Sequence, residues 1–178
     1  MYQNEKNTLF NAPLTNLGKK QAQIASNYYQ DKQITFTNAY SSTQERASDT
    51  LELLVDMPYT RLKGLKERDF GLFEGESEDL NPPLPYGDYF KTYGGEAEEE
   101  LTERIITTLK EVMDKNGNES VLAVSHGAIL AVFYRYWEKY AEVKKTERFG
   151  NCCILEFEYE NEIFTLKKII NHDFSSIV

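Results

Sequence analysis

Histidine is scarce in this chain, with two among 178 residues, His126 and His172. Cysteine is equally rare, and Cys152 and Cys153 are adjacent. With so few ligands, none of them at the spacings of a zinc site, no metal is expected, and no cofactor motif is present. Neighbouring residues of an extended run point to opposite faces, so the two cysteines are not expected to bond to each other. They read as buried thiols of a reducing compartment. Positive charge is also in deficit: 20 Lys and Arg against 29 Asp and Glu leave a net charge of −9. Such a field repels polyanions, and no Lys/Arg cluster interleaved with aromatics offsets it, which argues against nucleic acid and anionic membrane as partners. No apolar run approaches a membrane span, and the polar start Met-Tyr-Gln-Asn-Glu-Lys-Asn lacks a signal-peptide pattern. The expected location is the cytoplasm.

What is present suffices for one core. Apolar residues make up 40% and aromatics 13% of the chain, and a single domain over residues 1–178 is expected. Thr15 is a plausible N-cap for a helix running to about residue 30, with Leu17, Ile24, Ala25 and Tyr28 at near-helical spacing. A strand over 34–40, a helix over 42–55 and a short strand over 59–65 follow. Residues 67–94 turn to Gly, Pro, Asp and Tyr and read as a surface excursion, a candidate lid. Then come a long helix (96–115), a short apolar strand (120–125), a helix (128–140) and an antiparallel hairpin (152–159 and 162–170). Alternating helices and strands predict a three-layer α/β sandwich with a mostly parallel sheet. Its ligand site would lie at the carboxyl ends of the strands.

Three segments begin at such ends. His126, between an apolar strand and a helix and followed by Gly127, either caps a turn or meets an anion together with unpaired helix N–H groups. Arg46, one turn into its helix, either pairs with Glu45 or Asp49 in solvent or forks two oxygens of a phosphoryl group. Glu67 is either a surface carboxylate beside Arg68 or a general acid whose pKa burial has raised. The excursion's Tyr86, Tyr89, Phe90 and Tyr93 either wall a pocket or pack beneath a long loop, whereas Phe133, Tyr134, Tyr136 and Trp137 suit helix-to-sheet packing. His172, near the end of the chain, is expected to be exposed and non-catalytic.

In combination these pieces resemble the histidine phosphatase superfamily, the phosphoglycerate-mutase-like enzymes. The resemblance rests on Pro13-Leu14-Thr15-Asn16-Leu17-Gly18, Ser42 to Thr50 around Arg46, Leu65 to Gly75 around Glu67, Gly94-Gly95-Glu96, and Val124-Ser125-His126-Gly127. It implies a small phosphorylated molecule as partner, a phosphohistidine mechanism, and no cofactor. Arg46, His126 and Gly127 would hold the phosphoryl group, and Glu67 would protonate the leaving oxygen and activate water. A phosphatase fits the short chain better than a mutase, and a homodimer is compatible with the pattern. One departure stands out: the family's first strand and its Arg-His-Gly nucleophile should precede Pro13, and the chain shows neither. The expectation is therefore a member truncated at its N-terminus, nearly inactive, with a non-catalytic phosphate-ligand or protein-binding relative as the alternative. A strand supplied by a partner chain is a further account of the gap.

Overall fold

Thr15 closes the first helix as its sequence predicts: its Oγ1 accepts the Gly18 N–H at 3.0 Å, and α1 runs over Asn16–Asp31. The computed structural model describes residues 13–177 except Leu84. The expected absence of a first strand concerns chain ahead of Pro13 and lies outside the described residues. After α1 come β1 (Asn38–Ser42), α2 (Glu45–Leu54) and β2 (Tyr59–Leu62). Short 3-10 turns then carry the chain across the excursion to α3 (Glu98–Met113), β3 (Val121–Val124) and α4 (Gly127–Trp137). A hairpin of β4 (Ile154–Glu160) and β5 (Ile163–Ile170) follows.

The strands β2, β1 and β3 form a parallel sheet in that order, with Ala39 opposite both Tyr59 and Leu122. Alternation along β1 distributes the core to both faces. Ala39 joins Ala25 and Tyr29 of α1 and Leu51 and Leu54 of α2 on one side. Tyr40 joins Leu101, Ile105 and Val112 of α3 and Ile129, Val132 and Phe133 of α4 on the other. The result is the expected three-layer α/β arrangement. The hairpin forms a separate antiparallel sheet whose turn residues Asn161 and Glu162 both have positive φ, as a two-residue primed turn requires.

Several boundaries differ from expectation. The first strand is displaced from 34–40 to 38–42, because Ser41 and Ser42, polar in sequence, are buried and partnered by hydrogen bonds at its end. The segment 59–65 leaves the sheet at Leu62 and tightens into a 3-10 turn that buries Leu65. Both cysteines are half-buried rather than buried, and both are free thiols. His172 is half-buried rather than exposed, its ring edge-on to Tyr28 at 5.8 Å. No helix among the described residues is long and apolar enough to cross a membrane.

Candidate active site

Each predicted site residue lies in the connection that follows a parallel strand. His126 follows β3 in an extended conformation (φ −129°, ψ 159°) as the N-cap of α4, and no side chain caps that helix start. Among the described residues, a Cβ placed on Gly127 would meet nothing within 4 Å. Arg46 lies in the first turn of α2, two residues beyond Gln44, its N-cap. Glu67 follows the turn after β2, and two bonds fix it: its N–H donates to Gln44 Oε1 at 3.0 Å, and its Oε1 accepts the Arg68 N–H at 3.0 Å. Ser125 Oγ donates to the Leu65 carbonyl at 2.7 Å, tying the end of β3 to the same loop.

The three groups converge. Glu67 Oε2 stands 3.9 Å from His126 Nδ1. On the other side of the ring, His126 Nε2 lies 2.8 Å from Ser42 Oγ. The charge of Arg46 reaches His126, Glu67 and Glu74. Burial, with the cations Arg46 and Arg104 adding to it, pulls the His126 pKa down to about 3, so the ring is neutral near pH 7. Burial likewise raises Glu67, against the opposing pull of the Arg68 N–H, Arg46 and Arg104. A neutral imidazole, an acid inclined to keep its proton and nearby guanidinium charge together form a site suited to an anion and to general acid chemistry. Because the ring is neutral, its approach to Glu67 is not an ion pair. Among the described residues no group of three His, Cys, Asp or Glu is placed to hold a metal.

Two readings of the sequence need correction. Glu67 does not pair with Arg68 on the surface. Arg68 is 2% exposed, pairs with Glu98 and donates to the Gly87 carbonyl at 3.1 Å, with its guanidinium over the Tyr86 ring. Nor is Asp49 fully solvated: it is half-buried, and its carboxylate accepts the Leu14 N–H at 3.1 Å. The aromatic excursion is packed about Phe90, fully buried, with Phe70, Tyr86 and Tyr89 edge-on to it at 4.9–5.2 Å. That packing satisfies Tyr86 and Phe90 beneath the loop, while Tyr89 and Tyr93 stay partly exposed.

Sequence reasoning missed Arg104 and Ser42. Arg104, on α3, forks Glu96 at 2.7 and 2.8 Å and donates to the carbonyls of Gly64 and Lys66 at 2.7 and 3.0 Å. It thereby shapes the turn that delivers Glu67. Its signal was positional: residue 104 lies on the same stripe of the helix as Leu101, Ile105 and Thr108, facing inward rather than to water. At the exit of the loop two backbones cross so closely that glycine is required. Gly71 has φ +58°, and a Cβ on Gly95 would sit 2.6 Å from the Asp69 carbonyl.

An arginine, an acid and a histidine thus stand together beyond the carboxyl ends of the strands of a three-layer α/β fold, the crevice in which such folds bind their ligands. Residues 4–172 match the histidine phosphatase superfamily, branch 1, and the chain belongs to that family. It is 28% identical over 159 residues to the uncharacterized phosphatase PhoE of Bacillus subtilis, covering 87% of this chain and 80% of the relative. The fold is shared with a phosphoglycerate mutase from Bacillus anthracis (TM-score 0.73, 24% identity, 88% of this chain and 81% of the other). It is shared too with a phosphoserine phosphatase from Entamoeba histolytica solved with 3-phosphoglyceric acid (TM-score 0.71, 22% identity, 91% and 86%).

Proposed function

We propose that this single domain binds a small phosphorylated molecule at the strand-end rim, in the cytoplasm, and turns it over weakly. The observation that carries the reading is the arrival of Arg46, Glu67 and His126 from three separate segments at one edge of the sheet. The relatives named for phosphatase activity point to a phosphomonoester as the ligand class.

In this reading Arg46 takes two phosphoryl oxygens in its planar fork. Neutral His126 and the uncapped first turn of α4, beginning at Gly127, donate N–H groups to the remaining oxygens. Glu67, whose pKa burial raises, stands where a leaving oxygen needs a proton. What the 178 residues do not supply is a second histidine at this rim. His172 packs against Tyr28 and Phe174, and burial lowers its pKa also. Even in a hydrolase stripped of its nucleophile, binding and electrostatics of this kind sustain on the order of 10³–10⁴-fold acceleration over water.

Calorimetric titration with inorganic phosphate at neutral pH tests the reading. Saturable binding that weakens tenfold or more in Arg46→Ala is expected, since a charge-assisted fork contributes roughly 1.5–3 kcal/mol. An aryl phosphate should be hydrolysed only slowly. No phosphate affinity would overturn the binding site, and rapid turnover abolished by Arg46→Ala and His126→Ala would overturn the weak activity.

A further inference from the structure

The hydroxyl at the end of β1 has a proton that can go to one place. Ser42 is fully buried. Its Oγ accepts the backbone N–H of Gln44 at 3.2 Å, and its other hydrogen-bond partner among the described residues is His126 Nε2 at 2.8 Å. The Gln44 N–H is a donor and cannot take the hydroxyl proton. The carbonyl of Ser42 is already served by Ser41 Oγ at 2.9 Å and Ser48 Oγ at 3.5 Å, which fixes the backbone from which the hydroxyl projects. A buried hydroxyl whose proton lacks an acceptor is destabilising, so the proton points at the ring.

On this basis we propose that Ser42 is a positioning residue: it donates to His126 Nε2, locks the ring as the Nδ1–H tautomer, and so makes Nδ1 the nitrogen that meets a ligand oxygen. Nδ1 faces Glu67, and at 3.9 Å the carboxylate is too distant for a direct hydrogen bond, which leaves the Nδ1–H for an oxygen placed between His126, Glu67 and the cations. Protonation of the ring would turn Nε2 into a donor and leave the Ser42 proton stranded. The network therefore acts in the same direction as burial in keeping His126 neutral. The ligand-facing half of this inference rests on the proposed phosphate site, whereas the tautomer does not.

The chain's two histidines make the test simple. Full-length protein carrying ¹⁵N-labelled histidine is examined by long-range ¹⁵N–¹H correlation at neutral pH without ligand, and His172→Gln assigns the two rings. His126 should show a protonated Nδ1 and an unprotonated Nε2, with the opposite tautomer roughly tenfold or more rarer, the ratio set by one unsatisfied buried hydroxyl. A protonated Nε2 in the wild-type protein overturns the proposal without recourse to any variant. Ser42→Ala should shift the tautomer balance toward Nε2–H and raise the ring's titration midpoint. Ser41→Ala, which removes an equally buried hydroxyl that does not touch the ring, should leave both unchanged. Equal responses of the two variants would mean that packing, not the Ser42 bond, sets the ring, and would overturn the assignment. Added phosphate should then move Nδ1 more than Nε2, and the reverse order would overturn the ligand-facing half. If phosphate moves neither nitrogen while the tautomer is as stated, the phosphate site fails and Ser42's role stands.

Discussion

Glu67 opens the 67–94 excursion and Glu96 stands just beyond its end, and Arg104 acts on both, yet their protons are held in opposite ways. Burial raises both carboxyls. At Glu96 the two hydrogen bonds and the charge of Arg104, aided by the Asp69 N–H and Lys66, outweigh it and the pKa falls. At Glu67 the guanidinium of Arg104 acts only through space, as does that of Arg46, the direct bond to the carboxylate comes from the Arg68 backbone N–H, burial prevails, and the pKa rises. A cation in contact makes a carboxylate structural. Acting through space, it leaves burial to raise the carboxyl at the mouth of the crevice. The geometry achieves this by spending the rest of Arg104 on the Gly64 and Lys66 carbonyls, so that the loop backbone, not the Glu67 side chain, is what it grips.

Breaking the contact arm of that comparison should have the largest effect. Arg104→Met leaves Glu96 largely buried without its partner and strips two loop carbonyls, a change expected to destabilise by about 3–5 kcal/mol in urea unfolding near pH 7. Glu96→Gln in the same background should recover part of the loss, since the stranded charge is then gone. If Arg104→Met unfolds like wild type, the clasp is not what holds the excursion.

His126 tests the through-space arm. The folded ring stays neutral down to about pH 3, whereas in the unfolded chain it gains a proton below about 6.5. The unfolded state then binds more protons, so the contribution is complete above pH 6.5 and is lost as pH falls toward 3. The expected slope is roughly 1.4 kcal/mol per pH unit, or about 2 kcal/mol between pH 6.5 and 5. His126→Gln should flatten it, and identical pH profiles for the two proteins would show the ring to be solvated. For Glu67 the sign reverses. Its raised pKa makes the native state the better proton binder just above the usual carboxylate range, so stability falls as pH rises through that window. Glu67→Gln should match wild type near pH 4 and exceed it in stability at pH 7, and a variant less stable at both would show the carboxylate to be favourably paired.

Much of this was legible in the sequence, and what was not has a physical cause. Helices α1, α3 and α4 announce themselves by apolar spacing and end signals, and the Pro- and Gly-rich composition of 67–94 marks the excursion. Arg46, Glu67 and His126 could be nominated because each follows a strand. The misplaced first strand and the overlooked Ser42 share one origin: three serines with 0% exposure, Ser41, Ser42 and Ser48, read as polar surface until their hydroxyls are seen bonded to one another, to backbone and to His126. Arg104 was hidden for a related reason. In a helix that opens Glu-Glu-Glu, one more charged residue looks solvated, and only its place on the buried stripe says otherwise. Pattern tells which face a residue occupies, and hydrogen-bond satisfaction, which decides whether a polar residue can occupy the inner one, depends on partners far along the chain.

The comparison is completed by an arginine–glutamate contact left in water. Arg61 Nη1 and Glu45 Oε1 are 3.2 Å apart, a separation comparable to the Arg104 fork, but their side chains are 40% and 41% exposed against 18% and 13% for Arg104 and Glu96. Water screens the attraction and leaves little desolvation to recover, and ordering two long side chains offsets part of what remains. Arg61→Gln should therefore change unfolding free energy by about 0.2–1 kcal/mol, and the difference should shrink in 0.5 M salt. A loss approaching that of Arg104→Met would mean that distance alone, rather than distance combined with burial, sets the worth of these pairs, and the contrast between Glu67 and Glu96 would then need another cause.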